Sequence, residues 1–369
     1  AGPSQHAVRA VVLVGGEGTR LRPLTFTTPK QMLPVVEVTM IERVLSHLAS
    51  FGVDDVVLSM GYRPDAFLAA FPDDTCGGVK LAYAVEPEPL DTAGAVRFAA
   101  LHAGMTDTFL VVNGDVLTDL DIGALVGFHR ARGAEATISL TPVDDPSAFG
   151  VVPTDDAGRV QAFIEKPPRD EAPTNLINAG TYVLEPSVLD RIAGDRRVSI
   201  ERETFPALVA DGSCFALASD AYWIDTGTPA KFLQANADLL SGRRGDGAPV
   251  AHARAAGERV WYGAAGPVVD GAVEGPSFVG DAAFVARGAH VAASVIGAGA
   301  RVGDGAVVTG SVLLPGAVVA PGATVEGSIV GEGAVVGDGA RLTGLTVVGG
   351  NTKVDPGTTI DGGRVPEVA

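Results

Sequence analysis

A glycine-rich stretch carrying two arginines, Gly15-Gly16-Glu17-Gly18-Thr19-Arg20-Leu21-Arg22-Pro23-Leu24-Thr25, holds residue types suited to phosphate chemistry. It follows the apolar run Val11 to Val14. Glycines there let backbone N–H groups approach oxyanions with no Cβ in the way, and the arginines supply charge. The stretch reads as a phosphate cradle. It lacks the Gly-Lys-Ser/Thr ending of a Walker A loop, and Leu21 stands where the dinucleotide fingerprint needs glycine. Kinase-like NTPases and dehydrogenases both lose ground. Taken alone, a Gly-x-Gly is equally compatible with an ordinary turn between strand and helix.

Charge narrows the ligand further. The chain of 369 residues carries a net charge of −17, which opposes binding to nucleic acid, because that affinity comes largely from basic side chains neutralising the phosphate backbone. Small phosphorylated ligands remain compatible, since a few local cations and amides can hold one phosphate inside an acidic protein. The lysines are Lys30, Lys80, Lys166, Lys231 and Lys353. Cys76 and Cys214 show no metal-ligand spacing, so neither zinc nor a disulfide framework is expected, and a reducing compartment is. Ala1 to Ala7 has no basic region leading into an apolar one, and no run approaches the ~18 apolar residues of a membrane span. The expectation is a cytoplasmic protein without a membrane partner.

Two kinds of patterning must position this loop. From Arg9 to about Leu240, β-branched runs alternate with helical periodicity, as in an α/β domain with a largely parallel sheet. Val11–Val14 reads as a buried strand, Ile41, Val44, Leu45 and Leu48 as the stripe of a covering helix, and Val56–Leu58 as the next strand. Further strands are expected at Leu81–Val85, Phe109–Val112, Thr137–Leu140, Ala162–Ile164 and Thr181–Leu184, with helices near Ala93–Ala103 and Ile122–Arg132. The Gly- and Arg-rich residues from Ser241 read as a connector.

Beyond it the period changes to six. Val279, Val285 and Val291 keep this phase, as do Ile296, Val302, Val308 and Leu314, and then Val330, Val336, Leu342, Val348, Val354 and Ile360. Each unit supplies a short strand and a tight turn, with its aliphatic residue pointing into a narrow prism. A flexible Gly/Ala linker would not hold phase for so long.

The loop, together with Thr28-Pro29-Lys30-Gln31-Met32-Leu33-Pro34, resembles the signature of the sugar-1-phosphate nucleotidyltransferases. The resemblance continues through Glu86-Pro87-Glu88-Pro89-Leu90-Asp91-Thr92-Ala93-Gly94, Asn113-Gly114-Asp115, Phe163-Ile164-Glu165-Lys166-Pro167, Asn178-Ala179-Gly180, Ser199 to Pro206, and Trp223-Ile224-Asp225-Thr226-Gly227. With the hexapeptides added, the whole is most similar to the mannose-1-phosphate guanylyltransferase branch. The resemblance implies a Rossmann-like, mixed and largely parallel sheet in a nucleotidyltransferase domain at residues 1–240, a linker at 241–262, and a left-handed parallel β-helix at 263–369.

It implies transfer of a nucleotidyl group from an NTP to a sugar 1-phosphate with release of pyrophosphate. That reaction needs alignment of two polyanions and charge stabilisation, not a protein nucleophile. Arg20 and Lys30 would then grip the triphosphate and its leaving pyrophosphate. Asp115 and Asp225, each closing an apolar strand, would hold Mg²⁺. Val14, Gly15, Gly16, Gly18, Thr19, Thr92 and Gly114 would line the nucleotide site. Glu165, Lys166, Asn178 and Gly180 would hold the sugar phosphate. Glu86 sits where relatives read the base; a carboxylate can accept from both N1–H and the 2-amino group of guanine, which favours GTP, with mannose 1-phosphate as its partner substrate. One departure is visible: Asp91 stands where the family often has glycine, which bears on nucleotide or sugar preference.

Three other readings stay open. The substrate pair could be UTP, dTTP or ATP with glucose 1-phosphate. A non-catalytic regulatory relative would bind nucleotide sugar, although Arg20, Lys30, Asp115 and Asp225 are all present. His290, the one histidine of the repeat region, could serve an acyltransferase, but a histidine at a coil corner is more often a surface residue. The repeat region is expected to serve assembly, giving a homo-oligomer.

Overall fold

A computed structural model describes residues 8–61, 64–245 and 247–368. Ala1 to Ala7, read above as carrying no leader, Asp246 of the expected linker and Ala369 at the chain end lie outside the described residues. The chain divides into two compact units. The first runs to Gly16 and again from Ile41 to Trp223; the second comprises Glu17–Met40 and everything from Ile224.

The first unit is built on a ten-stranded mixed sheet. Its centre is parallel: Phe109–Asn113, Arg9–Leu13, Asp55–Met60 and Val79–Val85 lie side by side in that order. Val11, Val12, Val56, Val57, Leu110 and Val111 are fully buried, as strands covered on both faces require. The helices Met40–Ser50 and Asp91–His102 belong to the crossovers between these strands. In the first of them Ile41, Val44, Leu45 and Leu48 form the buried stripe that the spacing predicts. The helix Ile122–Arg132 has the predicted bounds because both ends are capped: the Asp121 carboxylate accepts from the Ala124 N–H at 2.8 Å, and Gly133 turns left-handed at φ 58°.

The chain order is not the spatial order. Arg9–Leu13, Asp55–Met60 and Val79–Val85 step outward in one direction, and Phe109–Asn113 then returns to the other flank of Arg9–Leu13. This reversal makes a switch point, where loops leaving the two strands diverge and open a crevice at their carboxyl ends. Beyond it Leu176–Leu184 runs antiparallel to Phe109–Asn113 and to Ala136–Pro142. Ala162–Ile164, expected as a strand, contributes only Ile164–Glu165, which pairs with Gly150–Val151 at the sheet edge. Phe163 is drawn instead onto the core, its ring 5.4 Å from that of Phe205.

The second unit joins the residues after the glycine loop to the repeat region. Glu17–Met40 forms three short 3-10 turns and a small hairpin, Pro34–Val35 with Val38–Thr39. The helix Pro229–Ser241 starts at Thr228, whose hydroxyl oxygen accepts from the Lys231 N–H, and stops at left-handed Gly242. Within 241–262, read as linker, the strands Arg254–Gly257 and Val260–Tyr262 form, and the latter pairs in parallel with Ser277–Val279. The first coil of the repeat therefore begins before Gly263.

Three sheets of stacked short strands make the repeat a three-sided parallel β-helix. Val279, Ile296, Leu313 and Val330 are successive partners, 17 residues apart, and all are fully buried inside. A coil of 17 is one short of three hexapeptides, and the shortfall falls between Val291 and Ile296 and at the equivalent corners. Hence Leu313, not Leu314, enters the core. At this corner Ser277, Ser294, Ser311 and Ser328 are buried, and each hydroxyl oxygen accepts the N–H of the equivalent residue one coil on, at 3.0–3.2 Å. The hydroxyls supply hydrogen bonds where the shortened corner lacks backbone.

Candidate active site

The switch point carries the first group of expected residues. Leu13 and Asn113 are in register, so Gly15-Gly16 and Gly114-Asp115 leave adjacent strands at the same edge. The Gly114 N–H donates to the Leu13 carbonyl at 2.9 Å and fixes that relation, and the Val14 N–H is taken by the Ser59 carbonyl at 3.0 Å. Gly15 and Gly16 are exposed and Asp115 is half-buried. A bare glycine edge beside an acidic side chain suits a polyphosphate and its counter-ion.

A bulge shapes the neighbouring strand. The pairing of Leu176–Leu184 shifts register between Asn178 and Tyr182, and Gly180 there adopts φ 80°. A Cβ on Gly180 would lie 2.6 Å from Asn113 Nδ2. Glycine is thus demanded by the bulge and by Asn113, at a position expected above to help hold the sugar phosphate. The Asn178 amide closes the bulge, accepting from the Gly180 N–H at 2.9 Å and donating to the Tyr182 hydroxyl at 2.7 Å.

The remaining residues of the first unit cluster around carboxylates. Glu165 is half-buried, and burial together with the charge of Glu201 holds its carboxyl above the usual range. Lys166 is exposed at φ 50°, with Nζ 3.8 Å from Glu165. Burial likewise raises Glu86, against the pull of the Leu90 N–H, which donates to Oε2 at 3.3 Å, and of nearby Arg197. The Thr92 hydroxyl donates to Glu201 at 2.8 Å and accepts from the Ile200 N–H at 2.8 Å. Its side chain is therefore spent on tying the helix Asp91–His102 to the turn that follows Ser199. Asp91 adopts φ 63° and accepts from the Thr92 N–H at 2.7 Å. Glycine or Asp suits a left-handed residue, which accounts for the departure from the family pattern without any substrate contact.

Glu201 was given no role from sequence. It lies on a π-helical turn, Ile200–Thr204, a wide turn often found at functional sites. The signal was present in the Ser199–Pro206 motif, but its closeness to Glu165 depends on folding.

The second unit carries Arg20 and Lys30, the cations expected at the triphosphate. Gly18 is left-handed at φ 61°, and a Cβ on it would meet Thr25 Cγ2 at 2.8 Å and Lys30 Cβ at 3.4 Å. Thr25 also donates to the Gly18 carbonyl at 2.7 Å, so the loop folds back on itself and brings Lys30 beside it. Arg20 lies in the 3-10 turn Thr19–Leu21 and is exposed. Its guanidinium lies over Gly227, where a Cβ would meet Arg20 Nη2 at 2.6 Å and Asp225 Oδ1 at 2.9 Å. Asp225 Oδ1 accepts from the Gly227 N–H at 2.8 Å, which orients the carboxylate. Arg20 and Asp225, far apart in sequence, are thus neighbours. Of the expected metal pair, Asp225 belongs to this unit and Asp115 to the first.

Among the described residues no three His, Cys, Asp or Glu side chains gather into a metal cage. A carboxylate such as that of Asp115 or of Asp225 is of the kind magnesium takes, because that ion prefers hard oxygen ligands, one or two of them carboxylates, and keeps water and phosphate oxygens for the rest. His290 sits on the strand His290–Ala292, stacked between Ala272 and Val307, with Val291 taking the inward position. Among the described residues no helix is long and apolar enough to cross a membrane.

Comparison with known proteins places these residues in a context. A model described as Nucleotidyl transferase matches residues 9–242, and one described as GMPPB C-terminal domain matches residues 273–367. A mannose-1-phosphate guanylyltransferase of Mycobacterium tuberculosis is 47% identical over 239 residues, 64% of this chain and 66% of that protein. A mannose-1-phosphate guanyltransferase of Aspergillus fumigatus is 43% identical over 230 residues, 61% of this chain and 62% of that protein. The matches thus span a little under two thirds of these relatives. Among solved structures, HddC from Yersinia pseudotuberculosis is 29% identical with a TM-score of 0.55, covering 62% of this chain and 98% of that one. The same protein complexed with GMP-PN gives a TM-score of 0.53 at 28% identity.

Proposed function

The chain belongs to the nucleotidyl transferase family, and from that premise we propose that it transfers a guanylyl group from GTP to mannose 1-phosphate, giving GDP-mannose and pyrophosphate. The observation that carries the substrate pair is the match, over more than three fifths of the chain, to relatives named for that reaction. The GMP-PN complex of HddC supports the choice of base.

In this reading a phosphate oxygen of mannose 1-phosphate attacks the α-phosphorus of GTP in line with the departing pyrophosphate. Gly15, Gly16, Gly18 and Thr19 offer backbone to the triphosphate, and Arg20 and Lys30 neutralise the charge that grows on the leaving group. Asp115 and Asp225 would hold magnesium, which when bound neutralises phosphate charge and orients the oxygens. Arg20 beside Asp225 means that the cation is held ready rather than gathered at the moment of reaction. Glu86 accepts from the guanine edge through the oxygen that Leu90 does not occupy. Lys166 faces the sugar phosphate, and Glu165 accepts from sugar hydroxyls. A cytoplasmic location and homo-oligomeric assembly belong to the same proposal.

A pyrophosphate-release screen of four NTPs against mannose, glucose, galactose and N-acetylglucosamine 1-phosphates tests it. GTP with mannose 1-phosphate should give the highest kcat/KM. A higher value for any other pair overturns the substrate assignment.

A further inference from the structure

We infer that the final coil of the repeat region is a positioning element for the triphosphate loop, with Arg364 as the residue that holds it. On one face of the β-helix the outward row, Phe278, Val295, Val312, Ile329 and Val347, is as buried as the inward row beside it, none being more than 3% exposed. The outward rows of the other two faces include exposed Val268, Arg301, Arg341 and Lys353. Glu17–Met40, in the same compact unit, makes short contacts at both ends of this face.

These contacts concentrate at the end of the chain. Arg364 Nη1 donates to the Arg22 carbonyl at 2.8 Å and Nη2 to the Arg20 carbonyl at 3.2 Å. One guanidinium thus spans the backbone on both sides of Leu21, a geometry for which its rigid fork is suited and a lysine is not. Beside it, a Cβ on Gly349 would lie 2.9 Å from Pro23 Cβ, and one on Gly350 2.5 Å from Thr27 Oγ1. Neither glycine is left-handed, so the close approach of the loop accounts for them. At the other end of the segment the Asp281 N–H donates to Glu37 at 3.3 Å. One of the Arg364 bonds ends on the backbone of Arg20, whose guanidinium lies with the Asp225 carboxylate over Gly227. Arg364 therefore acts through Arg20 on the triphosphate and leaves the sugar phosphate residues untouched. The kinetic part of this inference rests on the proposed nucleotidyl transfer; the structural part does not.

The test has two arms on the full chain. Hydrogen–deuterium exchange over residues 18–27, with no substrate present, should rise about tenfold in Arg364→Ala and less in Arg364→Lys, and should not change in Arg341→Ala on another face. In steady-state kinetics Arg364→Ala should lose about ten- to a hundredfold in kcat/KM for the NTP, the scale expected when a reacting group is slightly misplaced. KM for the sugar 1-phosphate should stay within twofold. In an Arg20→Ala background the same change should add little, because both act through one side chain. Unaltered exchange in Arg364→Ala, equal loss toward both substrates, or full additivity with Arg20→Ala would each overturn the inference. Should the chain prove inactive on every NTP, the exchange arm still decides whether Arg364 holds the loop.

Discussion

The α/β unit and the β-helix solve the same burial problem in different ways. In the first, each strand is unique, its ends carry different loops, and the switch point between Arg9–Leu13 and Phe109–Asn113 brings Gly15 and Asp115 to one edge. In the second, the inward aliphatic row and the serine corner recur from coil to coil, and a distinct feature appears where the repetition ends, at the Gly349–Gly350 turn. A fold made of unlike elements has many such places, whereas a solenoid has few, and here one of those few touches the loop that carries Arg20.

The sharpest way to test this division is to remove one function from each region. Asp225→Ala should reduce magnesium-dependent pyrophosphate release by at least about 10²–10³-fold, with thermal unfolding unchanged. Asp115→Ala should do the same, and wild-type turnover in either variant removes that aspartate from metal binding. Leu342→Ala, at a fully buried inward position of the β-helix, should instead cost about 2–5 kcal/mol of stability in denaturant unfolding. Substrate preference should not move.

Smaller changes refine the contrast inside the first unit. Glu86→Gln should cut the preference for GTP over the other NTPs by about tenfold, the scale of one charged hydrogen bond, read from the kcat/KM ratios. Asp91→Gly should leave stability and substrate choice close to wild type, while Asp91→Ala should cost about 1 kcal/mol because its φ of 63° penalises a Cβ without the compensating side-chain bond. A change of sugar preference in Asp91→Gly would restore a substrate role to that position.

The least effect is expected from His129, which is buried, with ring nitrogens 2.8 Å from Thr137 and from Glu185. Burial holds its pKa below the ordinary 6.5, against the opposing influence of Glu185. The unfolded chain therefore takes up the proton first, so the contribution of neutral His129 to stability is complete above pH 6.5 and is lost as pH falls below it. Denaturant midpoints at pH 7.5 and 5.5 should differ more in the wild type than in His129→Gln.

How much of this was legible in the sequence depended on the range over which each feature is determined. The stripe Ile41, Val44, Leu45, Leu48 and the capped helix Ile122–Arg132 are set by neighbours within a turn or two, and both were readable. The valine phase of the β-helix was readable for the same reason. Its slip at Leu314 was not, because the five-residue corner is set by a hydroxyl bonding to the next coil; the spacing of Ser277, Ser294, Ser311 and Ser328 held the signal. For the proposed site, Gly15, Asp115 and Asp225 were suggested by motifs. The bulge roles of Asn178 and Gly180 were missed because the register shift arises in the pairing with Ala136–Pro142, and the fit at Gly180 also depends on Asn113 in the other neighbouring strand. The contact of Arg364 with Arg20 spans most of the chain and leaves no local pattern at all.

The most direct test of the account runs the reaction backwards, since one phosphoanhydride is exchanged for another and the enzyme that joins the substrates must also separate the products. GDP-mannose, pyrophosphate and Mg²⁺ incubated with the protein should yield GTP and mannose 1-phosphate in equal amounts by ³¹P NMR. If GDP-mannose persists unchanged, or breaks down to GMP or GDP without consuming pyrophosphate, guanylyl transfer is not what this chain catalyses.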